Sequence, residues 1–379
     1  MSLWLIAGIC TYVLTGCSNK INESGSWLVK TDTTLIPVDS VITRATSSEI
    51  VSALPTGSSA EQCVGSVPWT QTELLLQFNK LDSLYYAKSF VYAEITLTRG
   101  TYVLQPPGYN VLNMQFSGYE MDSAWNIYYT WDSVAAAHRG TKNIVVGSPS
   151  IDDSLIIINI DTAVIRQWAK ATQDSAVSNN GFLLVPQNIS GIFSIYSFSS
   201  STYLPELSVA YYDTNGVEQS FVSTSGSSNS VAHSTITNVV PSGPYRILQS
   251  AAEDREKLIF DLTHIPNLSI VNFAELTLFE DPSDSVYSGN SIDSLVAYHI
   301  TDPSTNAVDY SSGSALTLKK HIFIVTTEVQ QMLNTGNYGF IITPYDESGN
   351  ADVRFIYDEN APDSLKPRLS ITYAPAVKK

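Results

Sequence analysis

Cysteine is nearly absent: three in 379 residues, at positions 10, 17 and 63. That is too few for the disulfide framework of a small secreted scaffold, and once Cys17 is assigned as below, Cys63 has no partner. Positive charge is also scarce, with 20 Lys and Arg against 36 Asp and Glu, a formal net charge of -16 and a pI near 4.6. Nucleic acid and anionic lipid headgroups need clustered cations, so neither is expected as a partner. Long apolar runs are missing too. The most apolar stretch, "LWLIAGICTYVL" at 3–14, is too short to span a bilayer comfortably. Local catalytic signatures are lacking: no GxSxG elbow, no HExxH helix, no phosphate-cradling Gly loop and no CxxC pair. The five histidines, at 138, 233, 264, 299 and 321, are scattered. The chain therefore reads as a protein that is not an enzyme, and only a site assembled from distant residues would make it one.

The apolar run ends in Leu14-Thr15-Gly16-Cys17, which matches a bacterial lipobox. The run has the length of a signal-peptide core, and small residues precede the cysteine whose thiol takes a diacylglycerol. Residues 1–19 carry no Lys or Arg, a departure from the usual charged start of such signals. The expectation is a signal peptide over 1–16, lipidation at Cys17, and a polar tether over 17–28 that leads to the first folded segment. Membrane lipid would then be a partner through acylated Cys17. The location would be the cell envelope or cell surface, with the outer membrane favoured.

Beyond the tether, short runs rich in Val, Ile, Leu, Tyr and Thr alternate with Ser, Asn, Asp, Gly and Pro, as in "AEITLT" (93–98) and "SLIIINI" (154–160). Strands and turns at this density predict an all-β chain. Two segments suit helices instead: 161–172, with Asp161 as N-cap, and 326–336, closed by a glycine. The chain also repeats itself. "LLQFNKL" (75–81) parallels "KLIFDLT" (257–263), and "YAEITL" (92–97) parallels "FAELTL" (273–278). A helix follows in each, then "NNGFLLVP" (179–186) against "GNYGFIITP" (336–344), and last "YLPELSVAYY" (203–212) against "LKPRLSITYA" (365–374). Four matched segments in one order predict a duplication. The expected domains are 29–214 and 215–376, two tandem antiparallel β-sandwiches of jelly-roll type with one short helix each.

These motifs resemble the DNRLRE-type domain, a β-sandwich of exported bacterial proteins. The second half carries the resemblance through Lys257 to Leu262, Ala274 to Leu278, Gly339 to Pro344 and Pro367 to Tyr373. The first half is a degenerate copy, with Asn79 where Asp261 stands and Glu206 in place of Arg368. "YYTWDS" (128–133) is similar to a Trp-containing segment found mid-domain. The resemblance implies an exported, non-catalytic sandwich, and for some family members carbohydrate binding.

Two sites are expected from the residues. Sugar rings pack on exposed aromatic faces, and the densest aromatic cluster is "GYEMDSAWNIYYTW" (118–131). Read as a strand, 125–131 puts Trp125, Ile127, Tyr129 and Trp131 on one face, so part of the cluster is core. Tyr119, Trp125 and Tyr128 are the candidate ligand contacts, for a polysaccharide. The second site is "YDESGNADVRF" (345–355), where Asp346, Asn350 and Asp352 space their oxygens as calcium loops do. A plain hairpin turn between the flanking strands is the alternative reading, and no other cofactor is expected. The function expected is adhesion or polysaccharide capture at the envelope, with an envelope protein as the alternative partner and a structural spacer as the alternative role.

Overall fold

A computed structural model of the protein describes residues 39–52, 57–79, 81–134, 139–234, 243–251, 254–281, 285, 294–305, 307–317 and 319–375. The signal segment 1–16, Cys17 and the tether 17–28 lie outside the described residues. The strands in the first part of the chain are β1 Asp39–Ser52, β2 Glu61–Val67, β3 Thr70–Phe78, β4 Ser89–Leu104, β5 Phe116–Met121, β6 Arg139–Asn143, β7 Ser150–Ile151 and β8 Leu155–Asn159. Helix α1 Thr162–Lys170 follows, then β9 Phe182–Pro186, β10 Gly191–Tyr196, β11 Glu206–Tyr212, β12 Glu218–Ser223 and β13 Gly226–Ser234. The second part has β14 Tyr245–Gln249, β15 Asp254–Phe260, β16 Ile270–Phe279, β17 Leu295–Asp302, β18 Ala307–Gly313, β19 Ala315–Thr317 and β20 Lys320–Ile324. It closes with α2 Thr326–Thr335, β21 Phe340–Pro344, β22 Val353–Tyr357 and β23 Arg368–Ala374.

The protein is all-β, built on two curled antiparallel sheets, as its strand-and-turn pattern predicts. Each sheet folds over to face itself, which makes two layers around an apolar core. In the first, β10-β2-β3-β9-β5-β6 is one layer and β12-β11-β4-β8-β7 the other, and the 16-residue β4 joins them by pairing with both β11 and β10. Leu74, Leu76, Phe78, Ile95, Ile158, Phe193 and Trp168 fill its core. In the second, Leu258, Phe260, Leu276, Phe323, Phe340 and Leu369 do the same.

The matched segments take the same places with the same register. Leu75 opposes Leu183 as Lys257 opposes Ile341; Ala93 opposes Val209 as Ala274 opposes Ile371. Before each "GF" strand, an asparagine side chain donates to the carbonyl of the matched phenylalanine: Asn179 to Phe78 at 2.9 Å and Asn337 to Phe260 at 2.6 Å. The glycine that follows has positive φ in both copies, +72° at Gly181 and +91° at Gly339. A Cβ there would overlap the carbonyl oxygen of Leu76 or Leu258, so glycine is required twice over. Both helices form where their patterns place them. Asp161 caps α1 by accepting from the Ala163 N–H at 2.9 Å, and the Gly336 N–H closes α2 onto the Met332 carbonyl at 3.1 Å.

The boundary expected between residues 214 and 215 falls inside the tight β11–β12 hairpin, where Asp213 accepts from the N–H groups of Asn215 and Val217. The Ser-rich stretch beyond it is β13, which pairs with β3 over nine positions from Gly226↔Phe78 to Ser234↔Thr70. Its central polar side chains, Ser228, Asn229 and Ser230, are buried and partnered. Ser230 donates to the Cys63 carbonyl at 2.6 Å, and Asn229 to that of Tyr129 at 2.7 Å. The other surprise is β1. Although first in the chain, it lies in the second sheet, paired with β15 from Ala45↔Phe260 to Ser52↔Asp254 and bonded through the Ala45 N–H to the Pro367 carbonyl at 3.0 Å.

Candidate functional site

The aromatic segment 118–131 is not one strand. β5 ends at Met121, the following residues turn, and a single 3-10 turn runs over Trp131–Ser133. The alternation expected over 125–131 holds in burial, with Trp125, Ile127, Tyr129 and Trp131 turned in and Asn126, Tyr128 and Thr130 exposed, but the backbone is a run of turns and not a strand, one of them held by the Asn126 side chain, which accepts from the Tyr128 N–H at 2.8 Å. Trp125 turns inward: it is 9% exposed, packs with Leu75, Met121, Leu183 and Val231, and donates its indole N–H to the Asn180 carbonyl at 2.7 Å. It has no open face for a ligand. Tyr119 is half-buried under the Arg139 guanidinium, 5.1 Å from its ring centroid. Tyr128 is 69% exposed, so the three candidates do not form one surface.

The 345–355 loop does not join a hairpin, because β21 pairs with β15 and β17 whereas β22 pairs with β14. It is a crossover, and it packs against the first sandwich. Asp346 accepts from the Gly349 N–H at 2.9 Å, and Asn350 donates to the Asp346 carbonyl at 2.6 Å. Asp352 is buried and accepts from the Tyr102 hydroxyl at 2.9 Å. Ala351 sits in an apolar cluster with Cys63, Val67, Tyr102, Leu104 and Ile192. Arg255 holds Glu347 through two bonds of 2.7 Å, and Gln249 donates to the Thr70 hydroxyl beside them. Burial pushes both the Tyr102 phenol and the Cys63 thiol well up, with Asp352 adding to each. Among the described residues no group of three or more His, Cys, Asp or Glu side chains is arranged to hold a metal ion.

A third cluster lies inside the second sandwich. Glu280 accepts from Arg354 at 3.2 Å and sits 2.8 Å from the His321 ring nitrogen, which in turn faces the Ser314 hydroxyl at 3.3 Å on its other side. The side chains of Glu280, His321 and Arg354 are all buried, so this is an internal network with no face for a substrate.

The open site lies elsewhere, where α1 begins. Val91, Tyr92, Val146, Asn159, Asp161 and Thr162 line a groove of about 360 Å³. Thr162 also lines a second hollow, of about 490 Å³, between Tyr86 and the α1 side chains of Arg166, Gln167 and Lys170. Tyr92 is 42% exposed, and Asn159 stands on the neighbouring strand, where Glu94 opposes it. Asp161 is fixed three ways, by its cap bond, by Lys142 at 2.6 Å and by its place before α1. The hydrogen bond from Lys142, and then the cap bond, hold its carboxyl below the usual carboxylate range. The ring, amide and carboxylate of this groove are the groups that pack on a sugar ring and bond its hydroxyls, while Arg166, in the neighbouring hollow, donates to the Lys88 carbonyl at 3.3 Å. Sequence reading missed the groove because Tyr92 and Asn159 are far apart in the chain and only β4–β8 pairing brings them side by side.

The second copy carries Phe273 at the position of Tyr92, also 42% exposed. There Asn159 is replaced by Ile324 and Asp161 by Thr326, with Ile270 and Leu268 exposed nearby. The copy has kept the aromatic ring and lost the polar trough. Compared with known proteins, the chain matches no family model and no curated protein.

Proposed function

We propose that this protein is an exported, lipid-anchored, non-catalytic β-sandwich protein that captures polysaccharide at the cell envelope. The groove at Tyr92 carries the reading, because it offers an exposed ring beside Asn159, Asp161 and Thr162 in a trough of ligand size. The lipobox at Cys17 supports the anchor, and the DNRLRE-like strand motifs agree with a carbohydrate-binding role. The test is affinity electrophoresis of the chain from Asn22 through gels holding bacterial, algal and plant polysaccharides, with calcium or with chelator. Retardation by a polymer that Tyr92→Ala abolishes and Tyr128→Ala preserves is the expected result. No retardation by any polymer overturns the glycan reading.

A second reading, a subunit of a surface protein assembly, is favoured by one observation. Leu268, Ile270, Phe273 and Ile324 are each exposed on the second copy, where Ile324 and Thr326 stand in place of Asn159 and Asp161. Crosslinking in envelope extracts through a photoreactive group at Phe273 tests it.

A further inference from the structure

Aspartate is followed by a hydroxyl residue far more often than composition explains. Of the 21 aspartates, 12 precede Ser or Thr, although those two types make up only 82 of the 379 residues. In ten of the twelve the third residue is Ala, Val or Leu: "DSL" at 82–84, 153–155, 293–295 and 363–365, "DSV" at 39–41, 132–134 and 284–286, "DSA" at 122–124 and 174–176, and "DTA" at 161–163. The duplication does not account for them, because the four matched pairs of segments hold none of the ten hydroxyls.

None of the ten hydroxyl residues is buried, whereas Ser66, Thr72, Ser194 and Thr277 are. They stand at turns or at the ends of elements, as Ser154 does between β7 and β8, Ser175 after α1 and Ser364 before β23. Ser40, Ser154, Ser175 and Ser364 are exposed. Turn chemistry explains part of the pattern. Asp82, Asp161 and Asp174 accept from the N–H two residues on, at 2.9, 2.9 and 3.0 Å, while Asp363 pairs with Lys366. Such a turn needs the carboxylate and neither of the side chains after it. Packing does not choose the third residue either, since Leu84 is 71% exposed and Ala124, Ala163 and Ala176 are exposed as well. A carboxylate, a hydroxyl and an apolar side chain offered together to solvent form a signal for an external reader.

The hydroxyl is the group such a reader can modify. A phosphate would set a dianion beside a carboxylate, on a chain whose formal charge is already -16, and the two would repel. A neutral sugar adds no charge. We propose that the Asp-Ser/Thr-apolar tripeptides are acceptor sites for O-glycosylation, with Ser40, Ser154, Ser175 and Ser364 as the principal ones. This rests on the export reading above and is independent of polysaccharide capture. The serine Oγ attacks the anomeric carbon of a sugar carried on phosphate. The new C1–O bond forms as the bond to phosphate breaks; phosphate leaves with the electron pair, and the hydroxyl proton passes to a base of the transferase.

Peptide mass spectrometry of the full chain, extracted with detergent from the envelope of the cell that makes it, tests this. Peptides holding Ser154, Ser175 and Ser364 should be heavier by whole hexose, deoxyhexose or N-acetylhexosamine units and should lose them by β-elimination in base. Two exposed hydroxyls serve as controls: Thr214 follows Asp213 but precedes Asn215, and Ser201 follows Ser200, so both should stay bare. Asp363→Asn should lower occupancy at Ser364 severalfold and leave Ser154 and Ser175 unchanged. Bare masses at all three serines, or phosphate in place of sugar, overturn the proposal, and equal sugar at Thr214 and Ser201 overturns the tripeptide as its signal. The Cys17 peptide of the same digest reports the anchor separately. Sugar without lipid on Cys17 removes the anchor and keeps this proposal, and lipid without sugar does the reverse.

Discussion

Glu256 is fully buried on the core side of β15, and neither carboxylate oxygen has a hydrogen-bond partner. Burial pushes its carboxyl well above the ordinary 4.5, against the weaker pull of Arg246. The folded state then holds this proton more tightly than the unfolded state, so the charge opposes folding at high pH and the penalty disappears as pH falls below 4.5. Glu256→Gln should raise the denaturation midpoint at pH 7 to 8 and leave it unchanged near pH 4; a gain independent of pH contradicts this. Glu280 behaves in the opposite sense. Burial alone raises its carboxyl, yet the bond to His321 and the charge of Arg354 outweigh burial and hold it low. Its contribution is present above 4.5 and is lost in acid, so Glu280→Gln should cost about 3 to 5 kcal/mol at neutral pH and progressively less below 4.5, measured by urea unfolding. The aromatic residues separate just as sharply. Trp125→Ala opens a cavity in a packed cluster and should cost about 3 to 5 kcal/mol, whereas Tyr128→Ala should stay within about 0.5 kcal/mol.

At the scale of elements, legibility followed periodicity. Both helices were readable because Val164, Ile165 and Trp168, and likewise Val329 and Met332, repeat at helical spacing and are buried accordingly. The duplication was readable because apolar runs with a conspicuous glycine recur in order. Gly181 and Gly339 explain that glycine, and replacing either by alanine should cost at least about 2 kcal/mol, measured as a fall in the unfolding midpoint. The two strands that decide how the halves interlock were not readable. β13 is Ser and Asn, residues that look like a linker until their hydroxyls and amide are seen to bond the backbone of β2 and of the 126–131 turn. β1 has the pattern of a strand, but strand pattern carries no address: nothing in "DSVITRATSSEIVS" says which sheet it joins. The alternation over 125–131 did mark the side that packs, and Trp125 follows it into the core, which is why it fails as a ligand contact.

For the whole molecule, residues 40–379 form one compact unit in which chain order and sheet order disagree. The contact of the crossover loop with the first sandwich adds to the interlocking. Tyr102→Phe leaves Asp352 short of a donor in a buried place and should cost about 1 to 3 kcal/mol, read by calorimetry as a lower transition temperature. The negative charge of the chain suits neutral polymers better than anionic ones, and Arg166 and Lys170 beside the groove are local exceptions to it. The polysaccharide site we propose is that groove. Amide hydrogen exchange of the chain from Asn22, with and without a polymer that retards it in gels, tests this most directly. Slowed exchange centred on residues 91–93 and 159–167 is the predicted result. Protection confined to 118–131 or to 268–275, with the Tyr92 groove unchanged, would contradict it.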